Sequence, residues 1–140
     1  MKPIKIIDNL YLGDANSGKD IELLRKFNII AIVNISGGKL LFQQEIKYLR
    51  INITDSNKAN IADYLDEVTQ FILDNVKLGG VLVHCQAGIS RSPSFIVAFL
   101  AKHNNMSVTD ALAYVKKCRP SVRPKDKFIE SIRSWHEKKN

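Results

Sequence analysis

Cysteine is scarce in this chain. Cys85 and Cys118 are the only two in 140 residues, which excludes the disulfide scaffold of small secreted domains. Long hydrophobic runs are also missing. The longest, Phe95 to Ala101, falls far short of the roughly 20 residues that span a bilayer. Met1-Lys2-Pro3 opens without an apolar signal core, Lys2 stands where myristoylation needs glycine, and the carboxyl end has no prenylation box. A cytoplasmic or nuclear chain with no membrane partner is the expectation. No group of His, Cys and carboxylates has metal-ligand spacing, so no metal or other cofactor is expected. Aromatics do not interleave with basic residues as in single-strand binders, so no nucleic-acid partner is expected. Repeats, low-complexity segments and a second domain are absent from the pattern. Residues 1–140 therefore read as one domain, expected to work as a monomer.

Acidic residues are the scarcer charge, 14 against 21 Lys and Arg, giving a formal net charge of +7. That balance favours acidic partners, phosphorylated substrates among them. Part of it reads as a solvated tail, because Lys125, Lys127, Lys138 and Lys139 crowd the last sixteen residues. With 45% apolar and 25% charged residues, the composition is that of a folded protein, not a disordered one. A chain of this length buries about two-thirds of its unfolded surface.

What is present centres on Val81-Leu82-Val83-His84-Cys85-Gln86-Ala87-Gly88-Ile89-Ser90-Arg91-Ser92-Pro93. Apolar residues lead in, and Phe95 to Leu100 lead out, which predicts strand, tight loop and then a helix from near Arg91. Backbone N–H groups and the positive end of a helix dipole make such a junction an anion site. Cys85 opens the loop in a field that favours the nucleophilic thiolate. Arg91, six positions on, carries a planar fork that matches two phosphate oxygens. Together they suggest thiolate attack on a phosphate ester.

His-Cys, five residues, Arg and then Ser resembles the signature of the cysteine-dependent protein tyrosine phosphatase superfamily. Ala87-Gly88, Ser90-Arg91-Ser92 and Pro93 are similar to its dual-specificity branch, and Leu10-Tyr11-Leu12-Gly13 and Arg119-Pro120 are weaker points of likeness. The resemblance runs over about residues 3 to 136. It implies a catalytic domain alone, without the amino-terminal domain by which some relatives dock on MAP kinases. It also implies hydrolysis of phosphotyrosine and phosphoserine or phosphothreonine in proteins through a phosphocysteine intermediate.

On that reading Cys85 is the nucleophile. The N–H groups of Gln86, Ala87, Gly88, Ile89, Ser90 and Arg91 hold the phosphoryl oxygens, with the Arg91 fork across two of them. Gly88 lets the backbone turn inward without a Cβ. Ser92 either donates its hydroxyl to the departing Cys85 sulfur or merely caps the helix. His84 points away from the loop if strand alternation holds, and reads as an orienting residue. Asp55, in an irregular stretch running through Asn60-Ile61 to Tyr64 that resembles the family's acid loop, is the candidate general acid. Asp63 and Asp66 are its rivals, early in a helix where carboxylates complement the dipole. Asn34 is either a brace for the loop or an ordinary strand-end turn. Cys118 shares a stripe with Val108, Leu112 and Val115 and reads as core, with a disulfide to Cys85 as the alternative.

The other elements alternate. Ile4 to Leu12 suggests a hairpin broken at Asp8-Asn9, Asp20 to Phe27 a helix, and Ile29 to Val33 a strand covered on both faces. Ser36-Gly37-Gly38 punctuates a loop before a strand at Tyr48 to Ile53. Helices follow from Asn60 to Val76, from Arg91 to Asn104, after the capping box at Ser107, and after Pro124. The fold class is α/β, a central, mostly parallel sheet flanked by helices, with the phosphate-binding loop between a central strand and a helix. Gly13 to Lys19 fits the nucleotide-loop pattern G-x-x-x-x-G-K. Asp20 follows where Ser or Thr should hold magnesium, and no buried strand is apparent before it, so nucleotide hydrolysis is set aside.

Other readings are a phosphatase of phosphoinositides or RNA 5′ ends, a silent module that binds phosphoproteins, and an arsenate oxidoreductase. Gln86, Ile89 and Ser90 stand where lipid-directed relatives tend to place Lys. An arsenate reductase needs resolving thiols, and Cys118 alone is poorly placed.

Overall fold

The computed structural model describes residues 1–35 and 37–139. Strands β1 (Ile4–Ile7) and β2 (Leu10–Gly13) form the expected hairpin, with Asn9 taking the positive φ of 67° that Asn tolerates. A 3-10 turn (Ser17–Lys19) leads into α1 (Ile21–Lys26), which Asp20 caps by accepting from the Leu23 amide at 3.2 Å. Strands β3 (Ile29–Asn34) and β4 (Lys47–Arg50) follow, then α2 (Leu65–Val76), β5 (Gly80–His84), α3 (Arg91–His103), α4 (Val108–Cys118) and α5 (Asp126–Lys139). The sheet order is β1-β2-β5-β3-β4, parallel except for the β1–β2 pair.

This order places β5 between two parallel neighbours, and all five of its residues are buried. Val81 and Val83 face the main core, built with α2 to α5, while Leu82 faces a smaller cluster with Leu24, Ile29, Ile32 and Ile46. Helix α3 crosses the main core, and everything from Ser92 to Ala101 is buried, so that stretch turns no face to solvent. Burying its Phe95 alone contributes roughly 1.5–3 kcal/mol. The loop between β5 and α3 therefore leaves the carboxyl edge of the sheet from its most enclosed strand.

Three expectations need correction. Strand β4 stops at Arg50 and not at Ile53, because only Ile51 continues the pairing, through its amide to the Asn34 carbonyl at 2.9 Å. The helix predicted from Asn60 opens as a 3-10 turn (Ile61–Tyr64), with Asn60 Oδ1 accepting from the Ala62 amide, before α2 begins. A buried strand, β2, does precede the Gly13–Lys19 segment. Its four residues were too few to show a period, but a 3-10 turn follows it and Asp20 is spent on capping. Ser36, in the proposed loop punctuation, lies outside the described residues. Gly37 and Gly38 follow at φ values of 78° and 77°.

Candidate active site

Cys85 follows directly on β5 and is 2% exposed. Its Sγ lies 3.2 Å from Ser92 Oγ and accepts from the Gly88 amide at 3.3 Å. The N-cap position of α3 belongs to Ser90, and Ser92 sits inside the first turn. Its hydroxyl is fully buried against the sulfur. Pro93 fits the same turn because its missing N–H would have no helical partner there.

Gly88 answers a steric demand. Its φ is +69°, and a Cβ would stand 2.8 Å from the Gly13 carbonyl oxygen on β2. The loop therefore closes against the neighbouring strand at a distance only glycine allows.

The carbonyls of the loop are tied to partners around it. Gln86 O accepts from the Ala15 amide at 3.1 Å, Ala87 O from Arg119 Nη2 at 3.3 Å, and Ile89 O from the Arg123 amide at 2.7 Å. Ser90 O accepts from both the amide and the hydroxyl of Ser94, while Ser90 Oγ accepts from the Lys125 amide. These bonds brace the loop from outside, and the Gly88 amide turns the other way, to the sulfur.

Arg91 is held by the sheet. Its Nη1 donates to Ile53 O at 3.1 Å and to Ile35 O at 3.3 Å, carbonyls just past the ends of β4 and β3. The early exit of the chain from β4 frees the Ile53 carbonyl for this bond. The guanidinium is thereby oriented, with further donors left over.

Asp55 lies two residues beyond that anchor, exposed, in the bend that follows Ile53. The same segment is fastened at its far side by Lys127 Nζ of α5, which donates to Asn57 O at 2.6 Å. The rival carboxylates are engaged elsewhere: Asp63 accepts from Asn60 Nδ2 and Asp66 from the Trp135 indole at 2.9 Å.

His84 lies on the other face of β5, against Gly18 of the 3-10 turn, as strand alternation requires. Burial pushes its imidazole below the ordinary 6.5. Asn34 is buried at the end of β3 in register with His84. Cys118 closes α4 half-buried against the core, burial pushes its thiol up, and both cysteines are free. Among the described residues no three His, Cys, Asp or Glu side chains group as metal ligands, and no helix is long and apolar enough to cross a membrane.

Residue patterns alone do not reveal the ties to Ala15, Arg123 and Lys125. All three use backbone N–H groups, which carry no side-chain signature. Arg119 was visible only as a point of family likeness.

A thiol that meets a loop amide and a hydroxyl just before a helix, with an arginine six residues on, is the arrangement that the sequence signature implies. The family model "Dual specificity phosphatase, catalytic domain" matches residues 10–138. The chain belongs to that family. It is 38% identical over 128 residues to "Dual specificity protein phosphatase 19" of Mus musculus, covering 90% of this chain and 58% of the relative. It is 37% identical over 135 residues to "Putative tyrosine phosphatase 123R" of Invertebrate iridescent virus 6, covering 94% of this chain and 90% of the relative. The crystal structure of the human "tyrosine phosphatase-like serine/threonine/tyrosine-interacting protein" superposes with a TM-score of 0.92 at 30% identity, over 97% of this chain and 96% of that one. The chain thus spans a little over half of the mouse relative's length.

Proposed function

We propose that this chain is a protein phosphatase that hydrolyses phosphotyrosine and phosphoserine or phosphothreonine through a phosphocysteine intermediate. The observation that carries the reading is the setting of Cys85, whose sulfur meets the Gly88 amide at 3.3 Å and Ser92 Oγ at 3.2 Å. In the first step the Cys85 thiolate attacks phosphorus, the S–P bond forms, and the bond to the substrate oxygen breaks. Asp55 gives its proton to that leaving oxygen. The loop amides and Arg91 hold the three equatorial oxygens, where charge spreads in the transition state. In the second step water attacks phosphorus, its proton returns to Asp55, and the S–P bond breaks. The Ser92 hydroxyl donates to the sulfur as it leaves. Residues 1–140 comprise this catalytic unit, and phosphorylated proteins in the cytoplasm or nucleus are its substrates.

Purified protein under reductant is expected to turn over p-nitrophenyl phosphate. Cys85→Ser lowers kcat by on the order of 10⁴-fold or more, the scale of nucleophile deletions. Turnover that survives in Cys85→Ser would overturn the mechanism. No turnover at all in the parent protein would favour a phosphoprotein-binding module, and a preference for inositol lipids over phosphopeptides would change the substrate class.

A further inference from the structure

The Gly13–Lys19 segment, set aside as a nucleotide loop, sits beside the phosphate loop through the bond from the Ala15 amide to Gln86 O. Between it and the chain past β3 lies a cavity of about 190 Å³. Its walls include Lys19, Lys39, Asn34, Tyr48, His84 and Gln86. No carboxylate lines it, and neither lysine is in an ion pair among the described residues. Gln86 belongs to both this cavity and the phosphate loop, so a group held here is a near neighbour of the reacting phosphoryl group. A water claims roughly 30 Å³, so the space suits one acidic side chain and not a nucleotide.

We propose that this cavity is a specificity subsite for a second anionic side chain of the substrate, a carboxylate or a phosphorylated hydroxyl close in sequence to the residue being dephosphorylated. Lys19 and Lys39 supply the two positive charges, one from the segment before α1 and one from the segment after β3. Successive residues of an extended peptide are about 3.3–3.6 Å apart, so the candidate positions are those one or two residues from the phosphoresidue. The inference rests on the phosphatase reading in taking a phosphoprotein as the ligand.

The test uses phosphotyrosine peptides in which each of the two positions on either side carries Gln, Glu or phosphoserine. Hydrolysis by the parent protein gives kcat/KM, and capture by the Cys85→Ser variant gives Kd without turnover. At one or more flanking positions Glu is expected to beat Gln roughly fivefold, as two exposed ion pairs would produce. The advantage shrinks as salt rises from about 0.05 to 0.5 M. In the Lys19→Ala/Lys39→Ala double variant the Glu-to-Gln ratio falls to about 1, and in Lys19→Glu/Lys39→Glu it inverts. A larger gain for phosphoserine than for Glu assigns the subsite to doubly phosphorylated segments, and equal gains assign it to acidic ones. A parent ratio of 1 at every position, or a ratio unmoved by the double variants, overturns the subsite. If hydrolysis fails but the Kd ratio behaves as described, the phosphatase reading falls and the subsite stands.

Discussion

At the scale of single residues, the site is built from a few atoms that tolerate no replacement. Gly88 is the sharpest case, because its φ of +69° and the 2.8 Å approach of the Gly13 oxygen act against any Cβ. Gly88→Ala is expected to cost about 2 kcal/mol of stability from the left-handed backbone and the contact together. Turnover should fall at least tenfold, since the Gly88 amide also meets the Cys85 sulfur. Thermal melts and p-nitrophenyl phosphate kinetics read both, and an Ala variant with the parent's melting temperature would remove the steric argument. Arg91 shows a different economy. One of its nitrogens is committed to the Ile35 and Ile53 carbonyls, so the rest of the fork arrives oriented.

At the scale of elements, the anion loop depends on the connection between α4 and α5. The Arg123 amide holds Ile89 O at 2.7 Å, and the bond is removable without touching a side chain in the loop. Arg123 is itself exposed, and Arg123→Pro deletes that donor. Loss of one such bond is worth about 1 kcal/mol, so affinity for vanadate or phosphate should weaken roughly fivefold. If Ki for the oxyanion stayed at the parent value while Arg123→Pro remained folded, the tether would be irrelevant. This dependence also explains which parts of the molecule could be read in advance. Helix α3 was plain because its apolar run is unbroken, and α4 because Ser107 and Asp110 announce its start. The strand, loop and helix around Cys85 and Arg91 were legible because the segment is local and its spacing is fixed. The end of β4 was missed because tertiary demand on the Ile53 carbonyl overrides the alternation of residues 48–53. The 3-10 opening before α2 was missed because Asn60 caps one turn early, which periodicity cannot register.

For the molecule as a whole, acidity is the weak direction. Burial holds His84 below its ordinary 6.5, with a hydrogen bond to the Cys85 backbone and the Asp14 charge pulling it up and Lys19 pushing it down. Burial lowers His103 as well, helped by Lys102 and Lys77. Below 6.5 the unfolded chain takes up protons that the folded chain refuses. The stability these groups contribute is therefore complete above that value and is lost as pH falls through their folded-state values. His84→Gln should narrow the drop in Tm between about pH 7.5 and pH 5.5. An equal drop in parent and variant would clear His84 of this role. The ties on the loop have a consequence for biosynthesis. Partners of Gln86, Ala87, Ile89 and Ser90 range from Ala15 to Lys125, so a ribosome delivers Cys85 well before the last of the loop's supports. A nascent chain that has exposed Cys85 but not yet residues 119–125 holds the loop by only part of its ties, and on the proposed reading activity waits on the rest of synthesis.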